Sequence, residues 1–205
     1  MLITLASHKG GVGKSTSAFH LAAYLGQSAP TLLVDGDPNR SVLRWADRSP
    51  EPLPFEVVDT QELPSRLMTG DRPEHIVTDT QARPPLDDLK SLAKHCDLMV
   101  VPTTPDALAL DTLPLFLEDL SRLEVGCAFK FLITCIPPYP STSGDDAKAF
   151  LKAQNQPMFA GGIRRYTAFE KAALAGVPIY AVADAKAQAG WSDYVAVAEE
   201  ILNAR

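Results

Sequence analysis

The chain has 205 residues, 46% of them hydrophobic and 21% charged, enough to bury one substantial core within the size range of a single domain, 1–205. A formal charge of -6, from 19 basic and 25 acidic residues, excludes an overall polycation built to coat nucleic acid or anionic lipid and leaves only a local patch for such a role. Cys96, Cys127 and Cys135 are odd in number and widely spaced, which argues against a disulfide framework or a CxxC site and fits a reducing cytoplasm.

Short apolar runs at 2–6, 31–34, 55–58, 75–78, 97–101 and 129–134 are expected to form buried strands. Helical spacing fills most of the intervals, at Ser15 to Gln27, Pro85 to His95, Ala107 to Leu123 and Asp145 to Gln154, and the C-terminal stretch 191–205 suits a helix packed on the core. The alternation predicts an α/β fold: a mainly parallel, twisted sheet with helices on both faces and ligands at the carboxyl ends of the strands. The run from Met1 to Ala6 reaches Lys9 too soon for a signal peptide, and no segment approaches the roughly 20 apolar residues of a membrane span. The stretch "IPPYPSTSGDD", 136–146, reads as the longest loop and is too short to separate domains.

Between the first strand and first helix lies "SHKGGVGKST". Gly10, Gly11 and Gly13 lack Cβ atoms, so successive backbone N–H groups flanking them and Val12 can turn toward one anion, a phosphate nest. The helix start adds its positive dipole end, Lys14 reaches the β and γ phosphates, Ser15 ligates Mg²⁺, and Thr16 completes the box. The P-loop spacing G-x-x-x-x-G-K-[ST] asks for glycine at position 8, where this chain has His8 followed by a second lysine, Lys9. Two acidic segments also fall at strand ends. "LLVDGDPNRS" presents Asp35 and Asp37, and "HIVTDTQARP" presents Asp79. Asp79 suits a Walker B carboxylate that holds Mg²⁺, with Asp35 as a further metal candidate, while Asp37 is placed to position an attacking water. Turn and helix-cap roles are the structural alternatives for Asp79 and Asp37.

"KGGVGKST", "DGDPNRS" and "IVTDTQARP", in that order, resemble the deviant Walker A box, switch I and Walker B segments of the ParA/MinD ATPase family, a likeness covering most of the chain. Within that family "LASHKGGVGKS", "DTQARP" and "PTTPDALALD" are most similar to the small partition type, particularly the McdA type that positions carboxysomes. The resemblance implies a P-loop fold, ATP and Mg²⁺ as cofactors, and Lys9 as a signature lysine that crosses the interface of an ATP-bound homodimer to the partner's phosphates. It thereby implies catalytic roles for Lys9, Lys14 and Asp37. It further implies nonspecific DNA binding, an adaptor of the ParB or McdB kind that stimulates hydrolysis, and a cytoplasmic, nucleoid-associated protein. Thr134 and Cys135 stand where many members carry an adenine-reading Asn, so the backbone around Ile136, Pro137 and Pro138 and the Ile163 to Tyr166 loop are expected to contact the base.

Charge is segregated: six basic residues face three acidic ones between Phe129 and Lys171, against thirteen and twenty-two elsewhere. Lys148, Lys152, Arg164 and Arg165 are therefore the expected DNA phosphate contacts, with an ordinary solvated face as the alternative. Glu199 and Glu200 oppose a membrane-targeting tail. The four histidines lack metal-ligand spacing, and Trp45 and Trp191 read as packing residues. The competing function is a metabolic P-loop enzyme, such as a ligase of the dethiobiotin synthetase type, which has no need of Lys9; an iron-sulfur carrier would need a CxxC pair.

Overall fold

The computed structural model describes residues 1–69, 71–122 and 127–204. Six strands, β1 (Leu2–Ser7), β2 (Thr31–Gly36), β3 (Glu56–Asp59), β4 (His75–Ala82), β5 (Leu98–Thr103) and β6 (Ala128–Ile133), form one sheet in the order β3-β2-β4-β1-β5-β6. Every pairing is parallel. Such a sheet must be covered on both faces, and alternation along the strands supplies both cores. Val100 and Leu132 point into one core with α1 (Lys14–Leu25) and the final helix α9 (Ala187–Asn203). Met99, Val101, Phe131 and Ile133 point into the other, under α4 (Leu86–His95), α6 (Leu113–Arg122) and α7 (Ser143–Ala153).

All six expected strands form, and the expected helices follow the chain with three changes. The run beginning at Ala107 divides into α5 (Ala107–Leu110) and α6, because Pro114 has no N–H to continue a hydrogen-bonded ladder and is tolerated only in a first turn. Leu123 and Arg205, the expected ends of two helices, lie outside the described residues. Helix α7 starts at Ser143, inside the stretch read as loop. Helices α2 (Ser41–Ala46), α3 (Leu63–Thr69) and α8 (Ala168–Ala175) are additional.

The topology fixes where a ligand goes. β1 lies between β4 and β5; the chain runs from β1 to β2 on one side of it and later from β4 to β5 on the other, so the crevice opens above the carboxyl ends of these central strands. Pairing of β1 with β4 shifts between Leu5 and Ser7, just before the glycine-rich loop.

Candidate nucleotide site

The loop from β1 to α1 is built for an anion. Gly11 and Gly13 have φ of 74° and 73°, backbone that L side chains rarely adopt. Gly13 directly precedes α1, whose first N–H groups and dipole face the loop. The loop is anchored from the far side of the sheet: the buried Thr134 hydroxyl donates to the Val12 carbonyl at 2.7 Å.

Lys14 is buried with its Nζ 3.9 Å from Oδ1 of Asp79, itself wholly inaccessible. Neither Asp79 oxygen has a hydrogen-bond partner of good geometry among the described residues. Burial pushes this carboxyl up to about 6, against the lowering effect of Lys14 and of the nearby Ser15 hydroxyl. A buried carboxylate with two open acceptor oxygens beside a serine hydroxyl fits Mg²⁺, which takes one or two protein oxygens and completes its shell from phosphates and water. Asp35 is the register neighbour of Asp79 on β2, but its oxygens are occupied. Oδ1 accepts from the Asp37 N–H at 3.0 Å, and Oδ2 from Val42 and Leu43 at 3.1 and 3.0 Å. It therefore caps α2 and fixes the loop that carries Asp37. Asp37 is half-buried, accepts from the Asn39 N–H at 2.8 Å and borders a cleft of about 470 Å³ with Asp59 and Arg40.

A cavity of about 340 Å³ opens beside the loop, lined by Gly11, Gly13, Thr16, Cys135, Arg165 and Tyr166 among others. Ile136, Pro137 and Pro138 do not line it. The Ile136 N–H donates to Ile163 and its carbonyl accepts from Arg165, and the two prolines have no N–H to offer; Thr134, Cys135 and residues 163–166 line the cavity instead. Arg164 and Arg165, expected on DNA, both border this cavity. Arg164 is also tied to Asp193, Nη2 to Oδ1 at 2.6 Å, and lies over the Tyr166 ring. Lys148 donates to the Ala160 carbonyl at 2.7 Å, and Lys152 projects from α7 in the open.

Lys9 reaches the start of α5, where Nζ lies 2.7 Å from Oδ1 of Asp106. Asp106 simultaneously caps α5 through the Ala109 N–H and accepts from the Thr104 hydroxyl; these contacts hold its carboxyl below the usual range. His8, in place of the expected glycine, sits 3.0 Å from Asp119 on α6 with its ring edge on Phe116. Behind the loop His20, fully buried, accepts the Ile179 N–H at Nε2, which leaves Nδ1 to donate to the Thr16 carbonyl at 2.7 Å. Burial pushes its pKa down to about 4. Sequence reasoning missed Asp106, Asp119 and His20 as members of this site, and placed Thr134 beside the base without its bond to the phosphate loop. Only Asp106 left a readable signal, an Asp directly before a helical run.

The "CobQ/CobB/MinD/ParA nucleotide binding domain" family matches residues 3–179, a span that includes the whole site above except Asp193. The chain belongs to this family. It is 35% identical over 208 aligned residues to the maintenance of carboxysome distribution protein A of Gloeobacter kilaueensis, covering 98% of this chain and 93% of that one. Among solved structures, an ATP complex of a Cyanothece McdA variant superposes with TM-score 0.73 at 18% identity, covering 99% of this chain and 95% of its own. The cell division protein MinD of Aquifex aeolicus gives 0.76 at 14%, covering 98% and 97%. These two share the fold. As a ParA/MinD-type family member, the chain carries the nucleotide-binding architecture, and among its described residues no helix is long and apolar enough to cross a membrane.

Proposed function

We propose that this chain is a Mg²⁺-dependent ATPase of the carboxysome- or plasmid-positioning type, which pairs face to face when ATP is bound, holds nonspecific DNA in that state, and is released when an adaptor stimulates hydrolysis. The observation that carries the reading is Lys9: a second cation on the phosphate loop whose ammonium is held, partly exposed, by Asp106 at the start of α5. A half-exposed ion pair of this kind is worth little, so opposed phosphates on a second chain outcompete it. Nucleotide state thereby becomes oligomeric state.

In this reading Gly10 to Thr16 cradle the phosphates, Lys14 neutralises the β and γ oxygens, and Ser15 and Asp79 hold Mg²⁺, which supplies charge neutralisation of the phosphates. Asp35 keeps the 36–41 loop folded, so that Asp37 can orient a water in line with the γ-phosphate. DNA contact rests on Lys152 and Lys148 of α7; Arg165 is divided between the cavity and the surface.

The test is sizing with light scattering on Asp37→Ala, with ATP or ADP. Dimer with ATP and monomer with ADP is expected, and adding Lys9→Ala returns the ATP-bound protein to monomer. A monomer throughout, with ATP demonstrably bound, overturns the reading. The DNA part is checked separately by duplex binding at two salt concentrations, where ATP-specific and salt-sensitive affinity is expected.

A further inference from the structure

Cys96 and Cys127 lie 31 positions apart in sequence, yet their sulfurs are 2.8 Å apart. The topology brings them together. Cys96 ends α4 two residues before β5, Cys127 stands one residue before β6, and these neighbouring strands pair in the register Leu98 with Ala128. Both thiols are half-buried and so retain access to a small solute. We propose that Cys96 and Cys127 form a reversible dithiol oxidation site, closed to a disulfide by hydrogen peroxide.

Either sulfur can donate to the other, and Cys127 Sγ also donates to the Ala128 carbonyl at 3.3 Å, so whichever thiol ionises has its partner within reach. With Cys127 ionised, it is the nucleophile. Its sulfur attacks one oxygen of hydrogen peroxide, the O–O bond breaks, and the departing hydroxide takes up the proton that the Cys127 thiol released on ionising, so that a sulfenic acid and one water form. The Cys96 sulfur then attacks Cys127 Sγ, its proton leaves with the displaced hydroxyl as a second water, and the S–S bond closes. Two thiols are oxidised by two electrons and one peroxide is reduced to two waters. Cys135 provides an internal comparison. It has no thiol partner among the described residues, and burial raises its pKa, so it reacts later.

The bond would join the two ends of the segment that carries Asp106 and Asp119, the partners of Lys9 and His8. It therefore tethers, from the opposite end of the sheet, the part of the chain that gives up Lys9 on pairing. This consequence rests on the pairing reading; the chemistry does not.

The experiment treats the full chain, without nucleotide, with hydrogen peroxide near neutral pH, followed by peptide mapping without reductant. A Cys96–Cys127 crosslink that forms before Cys135 is modified and opens with dithiothreitol is expected. Prior modification of Cys135, crosslinks between chains, or sulfinic acid at Cys127 beside an intact Cys96 overturns the proposal. In Cys96→Ser, dimedone should trap a sulfenic acid at Cys127, and no adduct there refutes its role as nucleophile. Oxidised wild type should melt roughly 5 to 10 °C higher than reduced, with no such rise in Cys96→Ser. A dimer that fails to form with ATP leaves all these readouts intact and sinks only the pairing reading.

Discussion

Asp79 and His20 pull the pH dependence of folding in opposite directions. Asp79 binds its proton more tightly folded, near pH 6, than unfolded, near 3.8. Its contribution to stability is present below 3.8 and lost as pH rises through 6, when an ionised carboxylate must remain buried. His20 is depressed to about 4 from 6.5 because burial disfavours the charged ring, whose second proton would also face the Ile179 N–H. Its contribution is present above 6.5 and lost as pH falls through 4. Each is worth roughly 3 kcal/mol across its window, and they nearly cancel. Asp79→Asn should therefore match wild type below pH 4 and exceed it by roughly 3 kcal/mol at pH 7.5 in urea unfolding without nucleotide, while losing Mg²⁺-dependent turnover. Equal stability at pH 7.5 would show that burying the ionised Asp79 carboxylate costs the fold nothing. For His20, an imidazole proton titration followed by NMR should place the midpoint near pH 4, and a value near 6.5 would break the buried-neutral assignment.

Among the elements, β6 reaches the phosphate loop through the hydroxyl of Thr134, one residue past the strand. Thr134→Val keeps the shape and removes the donor to Val12, which leaves a buried carbonyl underserved at a cost of about 1 to 3 kcal/mol. The expected result is weaker ATP binding together with a lower melting temperature, both restored by Thr134→Ser; an unchanged Kd would separate β6 from the loop. The strands and long helices were legible in the sequence because each repeats a period of two or 3.6 against a core. The shorter pieces were not. Helix α3 buries no residue, and α2 is six residues long and depends on the Asp35 carboxylate seven positions upstream rather than on its own pattern. The glycine loop and Asp79 were readable because their chemistry is local to a strand end. The positions of Ile136 and the two arginines were not, since a backbone bridge between Ile136 and Arg164, formed across 28 positions, decides them.

At the scale of the whole molecule, the charge map drawn from sequence changes once ion pairs are taken into account. Arg164 is matched by Asp193, Lys130 by Glu200 and Lys171 by Asp184, which leaves α7 as the more open part of the basic segment. Lys152→Glu should weaken DNA binding by the ATP-bound protein for all sequences alike and reduce the dependence of log K on log salt by about one for each DNA phosphate no longer neutralised. Arg164→Ala should act instead through the cavity and α9, lowering stability and nucleotide affinity. If Lys152→Glu leaves the salt slope unchanged, the DNA face lies elsewhere.

Burial of the Asp79 carboxylate lowers the stability of the nucleotide-free fold at neutral pH. Whatever neutralises it binds only the folded state and so protects the chain by mass action, in proportion to the logarithm of its concentration over Kd. Proteases in a cell act on the opened fraction, so such a chain persists longest where nucleotide is plentiful and is cleared fastest when supply falls. The residue assigned to holding Mg²⁺ beside the nucleotide therefore also makes the lifetime of the protein a gauge of nucleotide supply.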